Sequence, residues 1–182
     1  MSQSKILVDT NAYLRLARTV HPLLFTPFGE AEYCLYIIPE LNRELCGRRL
    51  MSKFPWIDEA EYAENRKHFP TVSRKARKSI NLNFDYIWEH VQTDFPGPSK
   101  VDALYIAYAL ELSVPLATDD QDMTELAAVF EAEVLSTLEV LKIMLDNGHI
   151  EMRAIDGMVD YWRYMSDRPA NMDEDYARLF AA

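Results

Sequence analysis

Short apolar segments bounded by polar or turn residues recur along the chain and predict the strands of a buried sheet. Four segments have this pattern: Lys5 to Val8, Cys34 to Ile38, Pro115 to Ala117, and Val134 to Leu135. Continuous apolar runs of this length are typical of parallel strands that are covered on both faces. We therefore predict a central parallel sheet of four or five strands.

Helical spacing of apolar residues separates the predicted strands. The clearest case predicts an amphipathic helix with its apolar stripe turned inward, with apolar residues three and four positions apart at Ile80, Phe84, Ile87, Trp88, Val91 and Phe95. Three further helices are predicted over Asn11 to Ala17, Pro39 to Leu50 and Ser99 to Leu112. Because strands and helices alternate, the pattern favours an α/β fold, a three-layer α/β/α sandwich.

Beyond the last predicted strand the pattern is helical only. Two helices are predicted over Thr137 to Asn147 and Met152 to Met165, and a third within the tail from Asn171 to Ala182. We predict a core domain over residues 1–136, with residues 137–182 forming a helical extension packed on the same domain. The aromatic residues of the extension, Tyr161, Trp162 and Tyr164, favour core packing, and a dimer or partner surface is the alternative.

Composition places the chain among globular proteins. Its 182 residues are 49% hydrophobic and 26% charged, which is near the average for folded domains. No apolar run approaches the roughly 20 residues that span a bilayer, and no signal-peptide pattern precedes the first strand, so we expect a cytoplasmic protein without membrane contact. Cys34 and Cys46 lack metal-site spacing and are interpreted as buried free thiols.

The net charge of −10 argues against general adhesion to a polyanion. The segment from Arg66 to Lys78 is an exception, because it carries six basic residues and no acid. These residues could bind an RNA backbone or could form a solvated helix face: Arg66, Lys67, Arg74, Lys75, Arg77 and Lys78.

Acidic residues follow the predicted strands at the places where a ligand of an α/β sheet is expected. Asp9 ends the first strand and is followed by Thr10 and Asn11, and Thr118 to Asp122 directly follows the third strand. Glu44 lies in the helix after the second strand, and Asp102 lies in the first turn of the helix before the third.

Each acid also has a structural interpretation. Asp9 could cap the helix that follows it, and Ser99 with Asp102 fits a capping box. Asp120 and Asp122 are equally typical of the first turn of a helix. If the acids do converge at one sheet edge, their repulsion would raise their pKa values unless a cation were bound.

Oxygen ligands without His or Cys suit Mg²⁺ or Mn²⁺. Such ions lower the pKa of bound water, and they stabilise the attacking and the leaving oxygen of an in-line displacement at phosphorus. The acids therefore favour hydrolysis of a nucleic-acid backbone.

Four stretches in this order resemble the PIN-domain family, the α/β nucleases that include the VapC-type toxins. The stretches are Ile6 to Asn11, Pro39 to Leu45, Asp102 to Ala109, and Leu116 to Met123, and the resemblance covers about residues 6–136. The family implies an endoribonuclease with Mg²⁺ or Mn²⁺ and a metal-activated water as nucleophile. It also implies RNA as substrate, a homodimer, and a small antitoxin protein as partner.

The resemblance assigns roles by position. Asp9, Glu44, Asp102 and Asp120 match the four family acids that act in catalysis and metal binding, and Asp122 matches an auxiliary metal ligand. Supporting polar residues are Thr10, Asn11 and Thr118. Glu40, one helical turn before Glu44, is a rival for the second position.

Other functions fit the sequence less well. A phosphotransferase of the haloacid-dehalogenase kind needs a second acid where Asn11 stands. A response-regulator receiver has paired acids that precede its phosphoacceptor strand, and no acids are found before Asp9. A PIN-like module that binds RNA or protein without cleaving it is the main alternative. The identity of the RNA substrate is left open by the sequence.

Overall fold

The structure is a computed structural model that describes residues 3–45 and 47–180. Its elements, in chain order, are β1 (Lys5–Val8), α1 (Thr10–Leu16), β2 (Cys34–Tyr36), α2 (Pro39–Leu45), α3 (Arg48–Lys53), a 3₁₀ turn (Pro55–Asp58), α4 (Ala60–Asn65), α5 (Arg74–Thr93), α6 (Lys100–Leu112), β3 (Leu116–Ala117), α7 (Gln121–Val129), β4 (Val134–Leu135), α8 (Thr137–Asp146), α9 (Met152–Met165) and α10 (Met172–Phe180).

The four strands form one parallel sheet in the order β2-β1-β3-β4. Leu7 of β1 lies at its centre, opposite Tyr36 of β2 on one side and Leu116 of β3 on the other. Because every strand runs in the same direction, all carboxyl ends meet at one edge. The predicted α/β sandwich with a parallel sheet and a helical extension is confirmed.

Burial explains why these short segments form strands. Ile6, Leu7 and Val8 of β1 are buried, as are Leu116 and Ala117 of β3. Apolar side chains on both faces of a strand require helices on both sides of the sheet. The central strands therefore belong to the core and hold the residues that follow them in fixed positions.

The predicted helix from Pro39 to Leu50 is wrong in its continuity. Helix α2 ends at Leu45, and α3 begins at Arg48. Gly47 between them has an extended backbone with ψ 132°, which a continuous helix does not allow, and glycine is a poor helix former. Cys46, predicted to be a buried thiol, lies outside the described residues, whereas Cys34 is buried and free.

The C-terminal helices pack on the sheet and on one another. Helix α8 begins with a capping box of Ser136 and Glu139, buries Leu138 and Leu141 against the core, and packs against α10. The predicted bounds of α9 agree with the structure. No helix within the described ranges is long and apolar enough to cross a membrane.

The aromatic residues of α9 divide between core and surface. Trp162 is 3% exposed and belongs to the core, as the packing interpretation expects. Tyr161 and Tyr164 are 53% and 85% exposed and contribute little to that core. One face of the extension is therefore structural, and the neighbouring face is open to a ligand or partner.

Candidate active site

Asp9 is a buried carboxylate at the carboxyl edge of the sheet. It directly follows β1, and the residue is 4% exposed. Its Oδ1 accepts a 2.7 Å hydrogen bond from the Ala12 backbone N–H, and its Oδ2 accepts a 2.6 Å bond from the Thr118 hydroxyl. Thr118 in turn accepts a 3.1 Å bond from the Asp120 backbone N–H. The hydroxyl of Thr118 therefore ties the end of β1 to the end of β3.

The four predicted acids line one open pocket of about 420 Å³. We call it the acidic pocket, and its lining residues are Asp9, Thr10, Asn11, Glu44, Leu50, Asp102, Tyr105 and Asp120. Its acids come from four elements: the end of β1, helix α2, and the first turns of α6 and α7. Residues distant in sequence therefore converge here because the parallel sheet brings their elements to one edge.

Glu44, and not its rival Glu40, reaches the acidic pocket. The Thr10 hydroxyl donates a 2.5 Å hydrogen bond to Glu44 Oε2, which joins the start of α1 to the end of α2. Glu40 instead lies near Tyr105 and Tyr108 of α6, where its charge raises the pKa of both phenols. The choice of Glu44 from the sequence agrees with this placement.

The acids cap helices and line the pocket at the same time. Asp9 caps α1, Asp120 caps α7 through a 2.9 Å bond from the Met123 N–H, and Asp102 accepts from the Ser99 N–H in the predicted capping box. The capping interpretation is thus confirmed for these three acids, and capping does not remove them from the pocket. Capping orients each carboxylate by one of its oxygens.

Glu44, Asp102 and Asp120 each retain a second oxygen. Glu44 Oε1, Asp102 Oδ1 and Asp120 Oδ2 accept no hydrogen bond from the part of the chain that the structure describes. These three oxygens are the ones that remain for a ligand in the pocket.

The acidic pocket holds its carboxylates at an electrostatic cost. Burial raises the pKa of Asp9 to about 7, and the hydrogen bonds from Thr118 and Ala12 offset only part of that effect. The pKa of Asp102 is also raised, first by burial and then by repulsion from Asp120 and Asp122. A bound cation would relieve both effects.

Tyr105 is a member of the pocket to which the sequence assigned no role. Burial raises the pKa of its hydroxyl well above the usual range, and Asp9 and Glu44 add to the shift, while the nearby Ile38 backbone offsets part of it. Its oxygen has no partner with hydrogen-bond geometry among residues 3–45 and 47–180. The phenol therefore stays protonated beside the carboxylates.

The donors of the acidic pocket suit Mg²⁺ or Mn²⁺ in chemistry, since they are oxygens without His or thiolate. As the described side chains stand, however, no three His, Cys, Asp or Glu residues form a group that could hold a metal ion. Mg²⁺ commonly keeps several waters and takes only one or two carboxylates directly. The described side chains therefore do not form a closed protein cage for an ion, and an ion here would keep part of its water shell.

Asp119 is a structural acid that the sequence did not distinguish from its neighbours. Its Oδ2 forms a 2.9 Å ion pair with Arg15 and accepts from the Thr137 hydroxyl, and its Oδ1 accepts a 2.9 Å bond from the Thr137 N–H. Asp119 thus joins α1, the end of β3 and the start of α8, with its side chain almost fully buried. Asp120, one residue later, is exposed and faces the pocket.

Asp122 does not line the acidic pocket. It is an exposed first-turn acid of α7, and it acts on the pocket only by raising the pKa of Asp102. Its carboxylate also lies beside Gly97, where an added Cβ would come within 2.8 Å of Asp122 Oδ2. Its auxiliary metal role stays a prediction.

The prediction that Arg66 could bind RNA is wrong. Arg66 is 5% exposed, and its guanidinium donates to Asn42 Oδ1, the Tyr13 hydroxyl and the Ile57 carbonyl. These bonds tie α4 to α1 and α2, so the guanidinium has no access to a ligand. The other members of the basic segment are exposed: Lys67, Arg74, Lys75, Arg77 and Lys78.

Comparison with family models, curated proteins and solved structures found no match for this chain. The resemblance to PIN-domain nucleases therefore rests on the four sequence stretches and stays a prediction. The geometry of the acidic pocket is independent of that resemblance, because it follows from the sheet order and the side-chain contacts.

Proposed function

We propose that this protein is a metal-dependent endoribonuclease whose reaction takes place in the acidic pocket. The observation that carries the proposal is the convergence of Asp9, Glu44, Asp102 and Asp120 from four separate elements onto one pocket. A capping role alone accounts for each acid singly but does not require them to face the same space. Mg²⁺ or Mn²⁺ is the cofactor that the oxygen donors suit.

The metal would supply two things when bound: a lower pKa for water, and neutralisation of the charge that develops on the phosphate. The chain's own residues prepare the site. Thr118 and Thr10 hold Asp9 and Glu44 by hydrogen bonds, so these carboxylates do not reorganise when a substrate arrives. The protonated Tyr105 hydroxyl provides a neutral donor beside them.

Proton transfer in the pocket depends on carboxylates. Among the described residues, no His, Lys or Arg belongs to the lining of the acidic pocket. A bound cation would lower the pKa of Asp9 from its metal-free value of about 7, so that this carboxylate would be ionised at neutral pH.

RNA would reach the pocket against an overall charge of −10. The exposed cations in the first turns of α5, Arg74, Lys75, Arg77 and Lys78, offer a local attraction for phosphates. Burial raises the pKa of Tyr108, and Arg77 lies close enough to offset part of that rise. Tyr108 is on α6, whose first turn holds Asp102. We propose that these cations hold the RNA backbone outside the pocket.

A module that binds RNA or a partner protein without cleaving it is the second candidate. The observation that favours it is the spacing of the carboxylates, since no three of the described ones stand as a metal-binding group. Under either candidate, a small antitoxin protein and a second copy of the chain remain proposed partners, with the exposed face of α9 open to them.

Cleavage of a mixed pool of single-stranded and structured RNA tests the proposal. The purified protein is assayed with Mn²⁺, with Mg²⁺ and with chelator, beside Asp9→Asn, Asp120→Asn and the control Glu125→Gln, an exposed acid of α7 that does not line the pocket. Asparagine is as good a helix cap as aspartate, so Asp120→Asn should fold normally.

We expect metal-dependent cleavage that falls by about a hundredfold or more in Asp9→Asn and Asp120→Asn, because even residues that only support metal ligands cost 10–100-fold. Glu125→Gln should cleave like the wild type. No cleavage by the wild type with either ion, together with retained RNA binding, would favour the binding module.

A further inference from the structure

A second cavity lies along α1, on the side formed with α9 and the 3₁₀ turn. Its volume is about 490 Å³, within the size range of pockets for small molecules. We call it the α9 cavity. Its aromatic lining residues come from two stretches: Phe54 and Trp56 before and within the 3₁₀ turn, and Tyr161 and Trp162 of α9. It shares no lining residue with the acidic pocket.

Helix α9 turns one continuous stripe toward this cavity. The stripe has helical spacing and consists of Ala154, Gly157, Met158, Tyr161, Trp162 and Met165. An apolar stripe of this kind normally packs against another element. Here Met158 and Trp162 are buried toward the core, whereas Tyr161 and Met165 are left about half exposed.

Gly157 gives the cavity its room. A Cβ added at Gly157 would meet no atom within 4 Å, and its backbone is that of an ordinary helical residue. Glycine lowers helix stability relative to alanine, and neither a tight turn nor a close approach requires it here. The missing side chain in the middle of the stripe therefore leaves open space beside the cavity, although neither the backbone nor the packing at this position requires glycine.

The rim of the α9 cavity carries three basic residues, Arg15, Arg18 and Lys53, and two acidic ones, Glu59 and Asp167. Arg18 and Lys53 are exposed lining residues, and neither forms an ion pair with any residue in the described ranges. Arg15 also lines the cavity but is committed to Asp119 and Asp167. Lys53 Nζ also lies 5.0 Å from the centre of the Phe54 ring. On a chain of net charge −10, the excess of basic over acidic residues in this lining provides complementarity for an anion.

We propose that the α9 cavity is a binding site for a small amphipathic carboxylate, with an aromatic or short aliphatic body. The apolar body would lie against Trp56, Trp162 and the open side of Gly157, and the carboxylate would lie between Arg18 and Lys53. Apolar walls supply most of the binding free energy in such a site, and a few polar groups at one end fix the orientation. This inference does not depend on the proposed nuclease activity.

The test uses anilinonaphthalene sulfonate, an aromatic anion that fluoresces when buried, with hydrocinnamate and hydrocinnamyl alcohol as competitors of equal shape and different charge. The full chain should bind one probe molecule saturably. Hydrocinnamate should displace it at least tenfold more effectively than the alcohol. That preference should disappear in the double variant Arg18→Gln, Lys53→Gln, but not in Arg153→Gln, an exposed cation of α9 outside the cavity.

Probe binding by variants with a filled cavity is the decisive measurement. Gly157→Leu should weaken probe binding at least tenfold, and Gly157→Ala should weaken it less, without lowering the melting temperature of the protein. Tyr164→Leu serves as the control, because Tyr164 is exposed on the same helix but does not line the cavity.

Three results would overturn the proposal. Binding that is unchanged in both Gly157 variants, or that Tyr164→Leu weakens equally, would mean adsorption to the surface. Equal displacement by the alcohol would remove the role of the cations. Self-association that the probe disrupts and Gly157→Leu abolishes would assign the cavity to a second copy of the chain.

Discussion

Helix α1 contributes to two sites of opposite character. Asp9, which caps it, and Thr10 and Asn11 in its first turn line the acidic pocket. Leu14 near its end and Arg18 shortly after it line the α9 cavity. The acidic pocket gathers carboxylates whose pKa values are raised by burial, so its ionised form is costly without a cation. The α9 cavity gathers aromatic residues and cations, so its main cost to the stability of the fold is the loss of packing contacts.

The difference teaches how each site is marked in a sequence. Polar residues directly after buried strands stand out, because a strand end is a defined place in an α/β sheet. Residues of an apolar cavity have the same helical spacing as residues of a core, so nothing in the pattern separates the two. A substitution in one site can therefore be compared with the unchanged other site.

The largest effect is expected from Asp9→Asn, which removes the buried charge. The folded pKa of about 7 lies above the ordinary value of 3.8, so the stability tied to protonated Asp9 is complete below pH 4 and lost as the pH rises through 7. Asp9→Asn should therefore raise the free energy of unfolding of the metal-free protein at pH 8, by at most about 4 kcal/mol.

Chemical denaturation of the wild type and Asp9→Asn at pH 8 and pH 5 measures this effect. The difference should shrink at pH 5, and Mn²⁺ should stabilise only the wild type. Equal stability of the two proteins at pH 8 would mean that Asp9 is not buried as a costly charge.

The next effect is expected at the junction between the two sites. Asp119→Ala breaks the buried ion pair with Arg15 and leaves both Thr137 donors without a partner, so it should lower the free energy of unfolding by roughly 3 kcal/mol. Asp167→Ala removes the exposed partner of Arg15 and should cost at most about 1 kcal/mol. Urea denaturation compares the two, and similar losses would contradict the assignment of Asp119 as the structural acid.

A smaller effect is expected from the cations of α5. Replacing Arg74, Lys75, Arg77 and Lys78 together with glutamine should weaken RNA binding by roughly tenfold at low salt and flatten its salt dependence. The same variant should leave probe binding in the α9 cavity unchanged. Fluorescence anisotropy with a labelled RNA at several salt concentrations measures the affinity. An unchanged affinity would show that these residues form only a solvated helix face.

The smallest effect on stability is expected from Gly157→Ala, which adds a methyl group beside the α9 cavity. Because an added Cβ meets no atom, Gly157→Ala should stabilise the protein by about 0.5–1 kcal/mol through helix propensity alone. Its thermal unfolding should therefore shift upward. A downward shift would show that the methyl group clashes and that the cavity is smaller than about 490 Å³.

The sequence was most informative where one physical constraint dominates. The bounds of β1 and α9 were predicted as they are observed, because burial on both strand faces and a long apolar stripe each leave a single periodic pattern. The four acids were predicted to share a site, and they share a pocket. Capping and site geometry coincide in Asp9, Asp102 and Asp120, so the two interpretations were never exclusive.

Other features depend on contacts between distant segments. Arg66 belongs to a basic run in sequence, yet its guanidinium donates its hydrogen bonds to Asn42, Tyr13 and Ile57 inside the protein. Asp119 and Asp120 are neighbours of the same type, and the positions of Arg15, 104 residues away, and Thr137, 18 residues away, separate their roles. No periodicity records such pairings, because they follow from the packing of whole elements.

The most direct test of the central claim is a titration with Mn²⁺, following the free ion by electron paramagnetic resonance, on the wild type, Asp120→Asn and Glu125→Gln. If the acidic pocket is a metal site, the wild type and Glu125→Gln should bind Mn²⁺ saturably, and Asp120→Asn should bind at least tenfold more weakly. Absence of saturable binding by the wild type, or equal binding by all three proteins, would contradict a carboxylate metal site in this pocket.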